Sequence, residues 1–246
     1  MLGIEYLRSL RAVLDRIEQT QAENLALAAD IIADCVSRGG AVHLMDTGHL
    51  LMHEMFGRTG GLMLLRPVKI AIEVENPGPQ RPDKRKAKVY LDEIPGLPQF
   101  VFDRSNIFPG DVLIIGSVSG KNALPVGLAL LAREQGVKVV ALTSKAYSEA
   151  LTSRHPSGKK LYEVADVVLD NCGVVGDAIL EVPGMDAKIC PTSGIVAACI
   201  MWMLEAEVVE RLLAKGLKPH VYLSNHMPGA QDFNRRALAE CERLGY

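Results

Sequence analysis

No pair of cysteines in this 246-residue chain is spaced CxxC; Cys35, Cys172, Cys190, Cys199 and Cys241 are odd in number and scattered. Such usage suits reduced thiols in a cytoplasm rather than a disulfide framework. No window approaches the run of about 18 uninterrupted apolar residues that spans a bilayer. Met1 opens an amphipathic segment, not a charged n-region followed by an apolar h-region. The expectation is a soluble cytoplasmic protein with no membrane partner. Nor is there an excess of charge of one sign: 27 basic against 29 acidic residues leave a formal −2. That speaks against a nucleic-acid partner, which calls for a basic face. The one basic cluster, Arg81–Lys88, follows a Pro/Gly-rich stretch and reads as a solvated loop or helix face. Neither GxGxxG, GxxxxGK[ST] nor HExxH occurs, so the dinucleotide fingerprint, the P-loop and the zincin helix are all excluded. No cofactor and no metal are expected. Internal repeats and low-complexity tracts are absent too.

What is present is an ordinary globular composition, 48% hydrophobic and 23% charged, long enough to bury a substantial core. Residues 1–38 carry apolar residues at helical spacing in two groups, Ile4 to Ile17 and Leu25 to Cys35, which predicts a helical arm or hairpin stopped by Gly39–Gly40. Strand and helix patterns then alternate. Strands are predicted at Ala41–Asp46, Val68–Val74, Asp111–Ser117, Val137–Leu142 and Asp166–Asp170. Helices are predicted at 49–58, 123–135, 194–215 and 230–243. Alternation of this kind implies an α/β fold with a parallel sheet, and the continuous apolar strands imply helices on both its faces. Residues 75–110, rich in proline, read as an excursion with a short helix rather than a domain.

Ligands of an open parallel sheet bind beyond the carboxyl ends of its strands, where three segments should meet. "GSVSGKN" (116–122) places Ser117 and Ser119 at a helix mouth, where free N–H groups and the helix dipole favour an anion. Capping by Ser or Asn is the alternative. "CPTSG" adds Thr192 and Ser193 at a second helix start, again either caps or anion donors. "DTGHLLMHEMFGR" supplies His49 and His53 four apart and the carboxylate of Glu54. Glu54 in an apolar helix is a candidate general base, or a surface carboxylate paired with Arg58 one turn on. No cysteine or aspartate at ligand spacing joins the two histidines.

Taken in order, Thr47–Gly48–His49, Pro109–Asn122, Gly136–Ser144, Pro191–Gly194, "GDAILEVPGMDAKICPTSG" from Gly176 and "SNHMPGAQDFN" from Ser224 resemble the sugar isomerase (SIS) domain, nearest to single-SIS proteins related to phosphoheptose isomerase. The resemblance covers most of the chain. It implies a three-layer αβα sandwich with a five-stranded parallel, flavodoxin-like sheet (39–246), preceded by an N-terminal helical arm (1–38). It further implies a homodimer or higher homo-oligomer whose partner molecule is a phosphorylated sugar. Substrate-binding roles carry over to Thr47, Gly48, Ser117, Ser119, Gly120, Asn122, Thr192 and Ser193. "EMFGR" is similar to the segment around the proposed base of phosphoheptose isomerases and gives Glu54 that role, with His49 or His226 handling oxygen protons. In an aldose–ketose isomerisation the base moves a proton between C1 and C2 of the open-chain sugar. A non-catalytic phosphosugar sensor would need the same pocket. Two departures stand out: Leu50 replaces the serine that usually follows Gly–His, and the helix leading to Glu54 is about a turn short.

Overall fold

A computed structural model describes residues 1–72, 91 and 94–246. The basic cluster at Arg81–Lys88 and half of the proline-rich excursion lie outside the described residues. Helix α1 (Leu2–Ser37) is one continuous helix of 36 residues, not a hairpin. Nothing between Gly3 and Gly39 interrupts it, for the stretch holds neither glycine nor proline. The apparent gap in its apolar stripe is filled by a buried glutamine. Gln21 lies among the buried residues Ile17 and Leu25, and its Oε1 accepts the backbone N–H of Asp170 at 2.9 Å. A polar side chain thus continues the buried face and ties α1 to the last strand of the sheet.

Five strands, β1 (Val42–Asp46), β2 (Leu65–Pro67), β3 (Val112–Gly116), β4 (Lys138–Thr143) and β5 (Val167–Asp170), form a parallel sheet in the order β2-β1-β3-β4-β5. Alternation along each strand divides the core in two. Leu44, Ile114, Leu142 and Leu169 join the cluster built on α1 and on α7 (Ser193–Ala214). Met45, Ile115, Val139 and Ala141 join the cluster of α3 (Leu97–Arg104), α4 (Ala123–Glu134) and α6 (Leu161–Val164). The arrangement is the α/β three-layer sandwich expected.

The second strand departs from expectation. It occupies Leu65–Pro67 rather than Val68–Val74, pairing Leu65 with Val42 and Pro67 with Leu44. The buried run Leu62–Leu65 just after Gly60–Gly61, not the following one, carries the chain into the sheet. Residues 68–72 are outside any strand, and Glu73 and Val74 are outside the described residues. Helix α2 is also shorter than predicted, four residues (Leu51–Glu54) in place of 49–58. Its start is delayed because Asp46 captures the His49 N–H at 3.0 Å and folds residues 46–49 into a turn. Beyond β5, an unforeseen antiparallel pair, β6 (Ala178–Leu180) and β7 (Ile189–Pro191), leads into α7. Short α5 (Lys145–Glu149) follows β4, and α8 (Ala230–Leu244) closes the chain.

Candidate functional site

With strand order 2-1-3-4-5, the connections leaving β1 and β3 diverge to opposite faces, and a crevice opens between their carboxyl ends. The structure brings all three sequence segments to that crevice. Thr47 donates its N–H to the Gly116 carbonyl at 2.9 Å and its hydroxyl to the same oxygen at 3.2 Å. Gly48 packs so closely on Val118 that a Cβ there would lie 3.2 Å from its Cγ2, and Leu50 lies 3.4 Å from where a Cβ on Gly194 would sit. Loop 47–50 therefore touches both the serine loop and the start of α7. Beside it, Asp46, Thr47, Asn122, Leu124 and Val68 bound a cleft of about 370 Å³.

The serine loop has polar groups to spare. Ser117 is buried and Ser119 half-buried, yet neither hydroxyl is engaged by another described residue. No side chain caps α4, so its first-turn N–H groups keep their capacity for an acceptor. Asn122, the N-cap residue, keeps its Oδ1 buried without a partner. Gly120 turns the loop at φ +57. The capping explanation for these residues therefore fails here.

At α7 the outcome is the reverse. The N–H groups of Thr192 and Ser193 both donate to Asp177 Oδ1, at 3.2 and 2.9 Å, and the Ser193 hydroxyl donates to Asp177 Oδ2 at 2.7 Å. A carboxylate of the chain itself occupies the anion position at this helix start. The Thr192 hydroxyl, fully buried, has no partner among the described residues. The two hydroxyl pairs do not form one shared set of free donors. Asp177 holds a left-handed backbone at φ 67, a conformation that asparagine shares readily but alanine does not. Asp177→Asn is expected to lower the unfolding free energy by about 1 kcal/mol and Asp177→Ala by more, measured by urea unfolding; equal stability of all three would contradict the capping role.

His49 has the most enclosed side chain of the three candidate acid–base residues. Its Nδ1 lies 2.8 Å from Asp46 Oδ1, and both side chains are almost completely buried, at 0% and 1% exposure. With Asp46 ionised, Nδ1 carries the proton and Nε2 presents its lone pair. Nε2 is buried and has no partner among the described residues. The pair depends on Gly116, where a Cβ would fall 2.4 Å from Asp46 Oδ1. Glu54 is in the ion pair foreseen as its alternative: Oε2 lies 3.5 Å from Arg58 Nε with the carboxylate side chain 30% exposed. His53 is exposed, and among the described residues no cluster of His, Cys, Asp or Glu could hold a metal ion. His226 is exposed on the turn before α8; its N–H donates to the Ser224 hydroxyl at 3.4 Å. The segment just before it pairs with residues 60–63, which enter β2 from the opposite end of the sheet.

Two residues were passed over in the sequence, Asp46 and Asp177. Asp46 had a signal, since an aspartate ending an apolar strand directly before Thr–Gly–His must put its carboxylate at the strand end. Asp177 had none that periodicity carries, because it acts across 15 residues through the β6–β7 pair.

A family profile described as SIS domain matches residues 5–144. A UPF0309 protein of Streptomyces griseus is 37% identical, with 93% of this chain and 90% of that protein covered. One of Geobacillus kaustophilus is 34% identical over 94% of this chain and 91% of that protein. Among solved structures, phosphoheptose isomerase GmhA from Neisseria gonorrhoeae aligns with TM-score 0.49 at 15% identity, covering 85% of this chain and 96% of that one. The Vibrio vulnificus NanR protein complexed with ManNAc-6P aligns with TM-score 0.48 at 12% identity, covering 99% and 70%. Among the described residues, no helix is long and apolar enough to cross a membrane.

Proposed function

The chain belongs to the SIS domain family, alongside the UPF0309 proteins, and from that premise we propose that it binds a phosphorylated sugar at the carboxyl ends of β1 and β3. The observation that carries the reading is the unengaged serine loop. Ser117 and Ser119 offer hydroxyl donors in the loop that leads to the uncapped start of α4, and among the described residues no acceptor engages them. A phosphate is the ligand group that answers several N–H and O–H donors at a helix start. Lys121 in the same loop adds a positive charge. Thr47 and Gly48, from the loop after β1, form the adjoining wall, while Thr192 and Ser193 border the site on the side held by Asp177. Reduced, scattered cysteines fit a cytoplasmic setting.

For this site the favoured chemistry is aldose–ketose isomerisation of the sugar phosphate or amino-sugar phosphate. The seated phosphate supplies binding energy remote from the reacting carbons. Glu54 moves the proton between C1 and C2 after exchanging Arg58 for substrate, and the Nε2 of His49, oriented by Asp46, takes or returns the oxygen proton. His226, just after the segment that meets residues 60–63 at the opposite end of the sheet, is given no step in it. The alternative, a non-catalytic phosphosugar sensor, is favoured by the engagement of Glu54 with Arg58 and by the complete burial of His49. Turnover separates the two. Glu54→Gln is expected to lower kcat by about 10²-fold or more while leaving binding intact. Unchanged kcat eliminates Glu54 as the base, and ligand binding without turnover by the native chain supports the sensor.

A homodimer or larger homo-oligomer is part of the same proposal. Leu2, Ile4 and Leu7 at the start of α1 are exposed at 44%, 43% and 40%, extending the apolar face of the helix beyond what this chain covers. Sedimentation at micromolar concentration is expected to give at least a dimer; a monodisperse monomer would refute it.

A further inference from the structure

A second concave surface opens beside the edge strand β2, at the other end of β1. It is a cleft of about 510 Å³ bounded by His43, Arg66, Lys69, Arg104 and Asn106 among others, a size typical of small-molecule sites. Arg66 stands opposite His43 in the sheet register. His43 precedes Asp46 by three residues on β1, so the cleft floor lies about 10 Å from the strand end.

Its walls carry an unbalanced charge. Arg66, Lys69 and Arg104 border it, and none has a carboxylate partner among the described residues. Arg104 rests over the Phe100 ring at 5.8 Å, which steadies the guanidinium without neutralising it. The carboxylate that meets His43, Asp111, is spent on the protein: it accepts the N–H groups of Ala41 and Phe108, both at 2.8 Å, and lies 3.1 Å from His43 Nε2. The His43 side chain is buried, and with Nε2 committed to Asp111, Nδ1 is the ring nitrogen left for a ligand. Three like charges on a concave wall over a buried imidazole repel one another unless an anion joins them.

We propose that this cleft is a second ligand site, for a small molecule bearing a phosphate or another dianionic group, held by Arg66, Lys69, Arg104 and His43. None of these four residues belongs to the crevice at the strand carboxyl ends, although Val68 borders both clefts. Among the described residues, the ionisable groups that bear on the His43 ring are Asp111, which precedes β3, and Arg66 on β2, with Cys35 of α1 coupled to Asp111 and with Lys69 and Arg104 on the cleft walls. Burial pushes the imidazole below its ordinary value; Asp111 opposes that and Arg66 adds to it. Cys35, pushed up to about 11 chiefly by burial, stays a neutral thiol. A bound dianion favours the protonated ring, so affinity rises as pH falls.

Sulfate is a suitable probe, because it remains a dianion across the range used. Calorimetric titration is made on the S117A/S119A chain, whose serine loop is disabled, with ionic strength held constant by chloride. One sulfate-binding event is expected to persist and to tighten several-fold between pH 8 and pH 6. Adding K69A and R104A, both at exposed positions, is expected to weaken it at least tenfold while the far-ultraviolet circular dichroism is unchanged. No sulfate binding by the S117A/S119A chain, or undiminished binding after K69A and R104A, overturns the proposal. Affinity independent of pH removes His43 from it. Phosphosugar binding by the native chain bears only on the carboxyl-end site, so the two readings stand or fall separately.

Discussion

Replacing Ser117 and Ser119 together with alanine is expected to weaken phosphosugar binding by about 10²-fold or more while leaving thermal stability within about 0.5 kcal/mol of the native chain. Each hydroxyl that donates to a charged phosphate is worth roughly 1.5–3 kcal/mol, and about 1.4 kcal/mol is a factor of ten in affinity. Stability should hardly move, because neither hydroxyl bonds to another described residue. That contrast separates the phosphate cradle from a structural turn. Were the serines caps, their loss would destabilise α4 by about 1 kcal/mol and leave affinity unchanged. Calorimetry for binding and urea unfolding for stability read both quantities on the same variant.

Glu205→Gln is expected to stabilise the protein above neutral pH, by up to roughly 3 kcal/mol. Glu205 is buried on α7; its Oε2 accepts the Leu62 N–H at 2.9 Å and its Oε1 has no partner among the described residues. Burial pushes its carboxyl from the ordinary 4.5 up to about 7, against the opposing pull of the Leu62 N–H. The folded chain therefore holds a proton that the unfolded chain gives up near pH 4.5. Wherever the folded state binds more protons, stability falls as pH rises. The loss runs from about pH 4.5 to about pH 7 and is complete above that, and a rise of this size corresponds to roughly 3 kcal/mol. Glutamine keeps an acceptor for Leu62 and carries no charge. Denaturant unfolding of both chains at intervals from pH 5 to pH 8 should show the gap widening across that window. Curves that stay parallel would show that Glu205 does not titrate there.

The strands β1, β3, β4 and β5 were legible within a residue at each end, because buried parallel strands are short apolar runs closed by glycine or polar residues. Helices α4, α7 and α8 were legible by period and by their stop residues. The continuity of α1 was not, since Gln21 takes an apolar position by bonding to Asp170 across the fold, and no periodic pattern counts a glutamine as buried. The position of β2 was mistaken because two apolar runs adjoin and only pairing to Val42 and Leu44 chooses between them. In the site, the serine loop was visible as a polar exit from an apolar strand. What the sequence left open, whether each hydroxyl pair is engaged within the protein, depends on long-range partners: Asp177 satisfies Ser193, and among the described residues nothing comparable reaches the Ser117 or Ser119 hydroxyl.

The central claim is that the loop Gly116–Asn122 seats the phosphate of a sugar phosphate, and thermal unfolding tests it most directly. Native chain and Ser119→Ala are melted with a panel of sugar and amino-sugar phosphates and with the same sugars lacking phosphate. A ligand at a hundred times its Kd stabilises by about 2.7 kcal/mol, which raises Tm by several degrees in a chain of this size. At least one phosphorylated member is expected to raise the Tm of the native chain, its unphosphorylated counterpart is not, and Ser119→Ala should lose most of the shift. A panel in which no phosphate shifts the native chain, or in which Ser119→Ala responds as fully as the native chain does, would contradict the account.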